Sequence, residues 1–122
     1  RVRQSVHCYV AVQPVPYKTT PAMPTFESLR DSNGQRVFPL ALEPFLHNRF
    51  EMAAFARQAQ AIGVNYIGIC CGGAPHYVRA MAEALGRTVQ ASKYSPALEL
   101  HPMIGTHVEE KDKAFVADWK NQ

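Results

Sequence analysis

The sequence predicts an α/β fold containing a parallel pair of strands, and three observations predict it. Residues 6–14 (Val-His-Cys-Tyr-Val-Ala-Val-Gln-Pro) and 64–69 (Val-Asn-Tyr-Ile-Gly-Ile) are short, largely apolar runs of the kind that form buried strands. A long proline-rich stretch and an amphipathic helical pattern separate them, and a second helical pattern follows residue 69. Strand, loop, helix, strand, helix is a βαβα order. Right-handed crossover then makes the two strands parallel and places both strand exits on the same side. Two parallel strands do not make a stable sheet alone. The residues therefore leave three architectures open: the end of a barrel, the end of an open sheet, or a sheet completed by oligomerisation.

Each element has its own signals. Pro14 stops the first strand because it cannot donate to a ladder. Residues 15–45 hold Pro16, Pro21, Pro24, Pro39, Pro44 and the turn Asp31-Ser32-Asn33-Gly34. They read as a long loop with a short extended piece at Val37–Leu40, and loops this long inside a compact domain are usually functional. A helix is expected from Arg49 to Ile62. Asn48 is its N-cap, Glu51 sits in capping-box position, and Met52, Phe55, Ala56, Ala59 and Ile62 form the apolar stripe. Gly63 suits a left-handed stop. The second strand spans Val64–Ile69. The second helix runs from Pro75 at N1 to Leu85, with Val78, Met81, Ala82 and Leu85 inward and Gly86 at its end. From Arg87 the pattern changes: residues 89–108 read as irregular and Glu109–Trp119 as a short helix. This tail is expected to pack on something else rather than form a second domain.

The 122 residues carry 47% hydrophobic and 19% charged side chains and a net charge of +3, which suits one small globular domain. The basic residues are scattered, which argues against a nucleic-acid partner. No stretch approaches the roughly 18 consecutive apolar residues of a membrane span, and no signal peptide is visible. The chain opens on Arg1-Val2-Arg3 without an initiator Met and reads as a piece of a longer protein. Cys8, Cys70 and Cys71 make an odd count without framework spacing, so a disulfide scaffold is not expected and a reducing cytoplasm fits better.

The run Tyr66-Ile67-Gly68-Ile69-Cys70-Cys71-Gly72-Gly73 carries the chemistry. It places two cysteines where a parallel strand gives way to a helix, which is where α/β proteins build their sites. Adjacent thiolates can face one ion, whereas a disulfide between neighbours is strained. The competing reading is a pair of small buried residues. Gly72 and Gly73 permit close backbone approach, or form an ordinary turn. The helix starting near Ala74 points free N–H groups at the exit and is expected to favour negative charge on the pair.

The stretch from Gly63 to Ala80, with Ile69-Cys70-Cys71-Gly72-Gly73 at its centre, resembles the final strand and helix of the homocysteine S-methyltransferases. In that family a Gly-Gly-Cys-Cys-Gly motif ends the eighth strand of a TIM barrel; Ile69 departs from it. Val12-Gln13-Pro14-Val15-Pro16-Tyr17 is similar to the seventh strand exit, and Phe38-Pro39-Leu40-Ala41-Leu42-Glu43-Pro44 to the loop before the seventh helix. Leu98-Glu99-Leu100-His101 and Trp119-Lys120-Asn121 look like the extension of the betaine branch. The resemblance implies that residues 1–88 are the C-terminal part of a (β/α)8 TIM barrel, its last two strand–helix units. Residues 89–122 would be an extended tail through which copies of the chain associate.

It also implies an activity: zinc-dependent transfer of a methyl group from betaine to homocysteine, giving dimethylglycine and methionine. Zn²⁺ would be held by three thiolates, two of them Cys70 and Cys71, the third in an Asn-Cys context upstream of Arg1. Cys8 is a poor substitute, lying near the start of its strand at about 3.3 Å per residue from the exit, and reads as a packed thiol. Gln13, at a strand exit, is a candidate substrate contact or equally a loop-ordering residue, Gly72 and Gly73 are candidate substrate contacts, and His101 is a candidate supporting or ion-contacting residue. Tyr17, Phe26, Tyr66 and Tyr77 read as packing rather than as a cage for the donor's ammonium. His7 reads as structural, His47 as solvated, His76 as exposed, and Glu43 as a loop-ordering residue. The fragment alone is expected to be inactive. The rival readings are another methyl donor (S-methylmethionine, a dimethylsulfonium compound or a folate), a non-catalytic assembly module, and last a redox protein, for which Cys-x-x-Cys spacing is missing.

Overall fold

The structure, a computed structural model, describes residues 2–101, 105 and 106. The chain divides into two units, Arg1–Ser92 and Lys93–Gln122. The first holds a short helix α1 (Val2–Ser5), strand β1 (Ala11–Val12), helix α2 (Arg49–Ala61), strand β2 (Tyr66–Ile67) and helix α3 (Pro75–Ala84). β1 and β2 pair in parallel, with Ala11 opposite Tyr66 and Val12 opposite Ile67.

The pairing reaches beyond the four residues of regular strand. Val10 O accepts from Asn65 N at 2.9 Å, Val12 O from Gly68 N at 2.9 Å, and Pro14 O from Cys70 N at 2.9 Å. These evenly spaced bonds are a parallel ladder. The expected strand at 6–14 is nevertheless corrected to this shorter span. Residues 2–5 coil into α1, and Arg3 ties that helix to the end of α2 through Nε to Gly63 O at 2.8 Å. Burial is also less than expected: Tyr9 is 89% exposed and Tyr66 59% exposed, since one face of this two-stranded sheet carries no layer among the described residues.

α2 forms where its local signals place it. Asn48 Oδ1 accepts from Phe50 N and Glu51 N, both at 2.9 Å, and Glu51 Oε2 accepts from Asn48 N at 2.7 Å. This reciprocal box satisfies amides that the first turn leaves unpaired. Gly63, at φ +84°, makes the left-handed stop. α2 and α3 pack on each other around Met52, Ala56, Tyr77 and Met81, with Phe55, Ile67, Ile69, Ala74 and Leu85 against that core. The expected stripes need two corrections. Ile62 is 68% exposed and Val78 49% exposed, while Tyr77 is buried. The inward face of α3 runs through Tyr77 and Met81, four residues apart, which turns Val78 roughly 100° away.

The loop 15–45 is folded on itself. Leu29 and Val37 are buried and joined by Val37 N to Leu29 O at 3.2 Å, beside a bridge between Arg30 and Arg36. The extended piece expected at Val37–Leu40 is a turn instead, closed by Ala41 N to Val37 O at 2.8 Å and containing a cis Phe38–Pro39 bond. In the second unit Leu98–Leu100 form a 3₁₀ turn, and Glu99 O accepts from Thr106 N at 2.9 Å. The helix expected at 109–119 lies outside the described residues.

Two outcomes follow from the α2 cap. Asn48→Ala should lower stability by about 1 kcal/mol in urea unfolding. The Glu51 carboxyl lies below its ordinary pKa, first because it accepts from the Asn48 backbone and then through His47 and Lys18. A depressed carboxyl stabilises above its unfolded pKa, and that contribution is lost as pH falls through the lower folded value. Glu51→Gln should therefore flatten acid unfolding on the low side of the ordinary carboxylate range, as followed by circular dichroism against pH.

Candidate functional site

The last rung of the ladder, Cys70 N to Pro14 O, fixes the point where the chain leaves the sheet. The following four residues form a tight turn closed by Gly73 N to Cys70 O at 3.1 Å. Gly72, the third residue, has φ +84°, the backbone that a type II turn demands there. Side chains alternate along the strand. Ile67 and Ile69 pack toward the helices, whereas a Cβ on Gly68 would lie 3.0 Å from Gln13 Cγ and 3.4 Å from Tyr66 Cε1. Cys70, two residues from Gly68, thus shares the open face with Gln13 and Tyr66.

The turn brings the two cysteines together. Their sulfurs lie 3.7 Å apart, both residues are exposed, and both thiols are free. Two thiolates on one tetrahedral zinc, with Zn–S near 2.3 Å, stand about 3.8 Å apart. The pair therefore fits one edge of such a site. Among the described residues no group of three or more His, Cys, Asp or Glu side chains gathers to hold a metal. These residues supply two donors and not a closed set. Cys8 is exposed, a correction to its reading as a packed thiol.

The Cys71 thiol lies above its ordinary pKa. The first cause is its hydrogen bond with Cys70; repulsion from a charged Cys70 and some desolvation add to it. Against these, a backbone hydrogen bond at Cys71 lowers its pKa by less than the neighbouring sulfur raises it. A divalent cation reverses that balance by taking both charges at once.

The other candidates are distributed as follows. Gln13 is exposed on the sheet face that carries Cys70. Gly73 is closely approached: a Cβ there would lie 2.6 Å from Ile69 Cγ2. Tyr77 is core, as read, while Tyr66 is not packed. His76 is exposed, its ring lies tilted at 56° to that of Tyr77 with centroids 4.2 Å apart, and it lines a groove of about 470 Å³ with Leu46, His47, Asn48 and Arg49. His47 is only half-exposed, correcting its reading as solvated; its Nδ1 is 3.3 Å from Glu51 Oε2, and Lys18 Nζ is 3.4 Å from the other oxygen. His7 is exposed, and Glu43 opens a 3₁₀ turn that ends at Phe45. His101, in the second unit, follows the turn Leu98–Leu100 and accepts Gly105 N on its carbonyl. Sequence reasoning missed the contact of Tyr17 with Gly72, whose absent side chain leaves room for the phenol.

No family model matches the chain. Betaine–homocysteine S-methyltransferase 1 of Danio rerio is 39% identical over 79 residues, which are 65% of this chain and 19% of that protein. The protein of the same name from Rattus norvegicus is 37% identical over 79 residues, with the same shares. An S-methylmethionine–homocysteine S-methyltransferase of Rattus norvegicus is 35% identical over 79 residues, 65% of this chain and 21% of that protein. These matches bear out the resemblance to the homocysteine S-methyltransferases, and the matched stretch spans 19% to 21% of the relatives' length.

The mutual effect of the two thiols is measurable. In metal-free protein, Cys70→Ala should bring the Cys71 pKa down toward its ordinary value. The pH dependence of its reaction with an aromatic disulfide reads this, and an inflection that stays put contradicts the assigned cause.

Proposed function

We propose that this chain, similar in sequence to the betaine–homocysteine S-methyltransferases, is the C-terminal segment of a zinc-dependent enzyme that methylates homocysteine with betaine. The observation that carries the reading is the Cys70–Cys71 pair: two free thiols 3.7 Å apart at the exit of a parallel strand. On this reading residues 1–88 are the last two strand–helix units of a (β/α)8 barrel. The parallel pair, with both helices on one face and an open face bearing Gln13, Tyr66 and Cys70, supports that. Residues 89–122 are the tail through which copies associate, in keeping with Tyr94 at 70% and Leu100 at 67% exposed. The proposed location is the cytoplasm, where free thiols stay reduced.

The chemistry starts from the homocysteine thiol, which is mostly protonated at neutral pH and a weak nucleophile in that form. Zinc, when bound, supplies a Lewis acid that lowers the pKa of that thiol. Cys70 and Cys71 would hold it as thiolates, losing both protons on binding, and their negative charge keeps the substrate sulfur electron-rich. Gly72 and Gly73 let the Tyr17 and Ile69 side chains pack directly against the turn that carries the thiols. Gln13, on the same face, is placed to orient a polar end of the substrate. Once the homocysteine thiol has released its proton to solvent, its thiolate sulfur attacks a methyl carbon of betaine as the carbon–nitrogen bond breaks, the electron pair leaving on the nitrogen of dimethylglycine. Methionine is the other product.

A second donor is favoured by a specific observation, since one relative that matches over the same length is named for S-methylmethionine. A donor panel on the complete enzyme separates the two: methionine formed with betaine supports the first reading, and methionine formed only with S-methylmethionine supports the second. In the complete enzyme Cys70→Ser should abolish both stoichiometric zinc and methionine formation, and the 122-residue chain alone should form no methionine. Stoichiometric zinc retained by Cys70→Ser, measured by atomic emission, would sink the metal assignment.

A further inference from the structure

We propose that Tyr17 is a positioning residue for the Cys70–Cys71 pair, its ring acting as a wedge against the turn that carries the thiols. A Cβ built on Gly72 would collide with the Tyr17 hydroxyl oxygen and lie 2.7 Å from Cζ and 2.9 Å from Cε2. The phenol thus fills the space beside Gly72 that any side chain there would need, one residue from Cys71.

The wedge is held from behind. The backbone of Tyr17 bridges Leu46, Lys18 N donates to Phe45 O at 2.7 Å, and His47 N donates to Pro16 O at 2.8 Å. Pro16, before it, is fully buried. The ring stacks on Phe26 at 5.6 Å, and Phe26 meets Phe38 edge-on at 5.5 Å. The ladder Tyr17–Phe26–Phe38 therefore braces the turn against the long loop. The hydroxyl makes no hydrogen bond among the described residues, so the contact is steric, through the hydroxyl oxygen and the ring edge behind it.

The turn needs such a brace. Both cysteines are exposed, and Gly72 gives the backbone beside them wide freedom. A fixed sulfur–sulfur distance requires the turn to be held in one conformation. Supporting residues of this kind commonly matter to metal sites almost as much as the ligands do. The inference rests on the proposed zinc site for its effect on zinc, but not for its effect on the two thiols.

The test compares Tyr17→Ala, Tyr17→Phe and wild type in the complete enzyme. The first readout is the affinity of zinc-free protein for phenylarsine oxide. That probe bridges two close thiols: two arsenic–sulfur bonds form and the oxygen leaves as water with both thiol protons, without change of oxidation state. The second is zinc affinity by chelator competition, and the third the absorption spectrum of the Co²⁺-substituted protein. Tyr17→Ala should weaken zinc by about 10- to 100-fold, weaken the arsenical and shift the Co²⁺ bands. Tyr17→Phe should restore all three. Gly72→Ala, which drives a methyl group into the ring, should resemble Tyr17→Ala. If Tyr17→Ala lacks a cooperative thermal transition, Tyr17→Leu carries the same comparison. Wild-type affinities and an unmoved spectrum in the Ala or Leu variant overturn the proposal, as does a Phe variant as impaired as Ala. A wild-type enzyme without zinc would defeat the metal reading, while the arsenical series would still decide the role of Tyr17.

Discussion

The parallel ladder between residues 10–14 and 65–70 is the constraint on which the first unit depends. Its bonds from Val10 O, Val12 O and Pro14 O set the register residue by residue. A slip of one position would exchange the two faces. Ile67 and Ile69 would leave the α2–α3 core and Cys70 would enter it. The ladder thus decides both where the apolar side chains are buried and which way the first thiol faces. Pro14, which cannot donate, still accepts, so it closes the strand on one side and anchors Cys70 on the other.

Packing then turns that register into a site with two distinct sides. Met52, Ala56, Tyr77 and Met81 cover the face bearing the isoleucines, with Ile69 filling the space beside Gly73. On the other face Gln13, Tyr66 and Cys70 stand open. An exposed tyrosine and a sheet face left uncovered among the described residues are costly in a free-standing domain. In the barrel proposed above, that face would line an interior built by other strands.

How legible each feature was follows from the range of the forces behind it. α2 was readable in detail because Asn48 and Glu51 act within a single turn of backbone. The stripe was readable only in part: helical spacing finds apolar positions but does not say which neighbour covers them, so Ile62 and Val78 were placed inward and Tyr77 was left out. The strands were readable as places but not in length, since their extent depends on partners that no local pattern encodes. The cysteine pair stood out as a dipeptide. The raised pKa of Cys71 did not, because it depends on a sulfur–sulfur distance that only the folded turn creates. Nor did Tyr17, which meets Gly72 from more than fifty residues away in sequence.

That distance also explains why neighbouring cysteines make a site and not merely a reactive surface. At 3.7 Å the thiols are close enough that ionising one opposes ionising the other, and Cys71 is held above its ordinary pKa. A soft divalent cation meets the same geometry with the opposite sign, because it gains two short contacts without first having to gather the ligands. The energy that the chain invests in the ladder rung at Cys70 and the glycine turn behind Cys71 is then spent before any ion arrives, which is preorganisation in its plainest form. An incomplete donor set makes this more important. Two thiolates alone bind weakly unless their geometry is fixed, so rigidity in this turn governs how well donors from elsewhere can complete it.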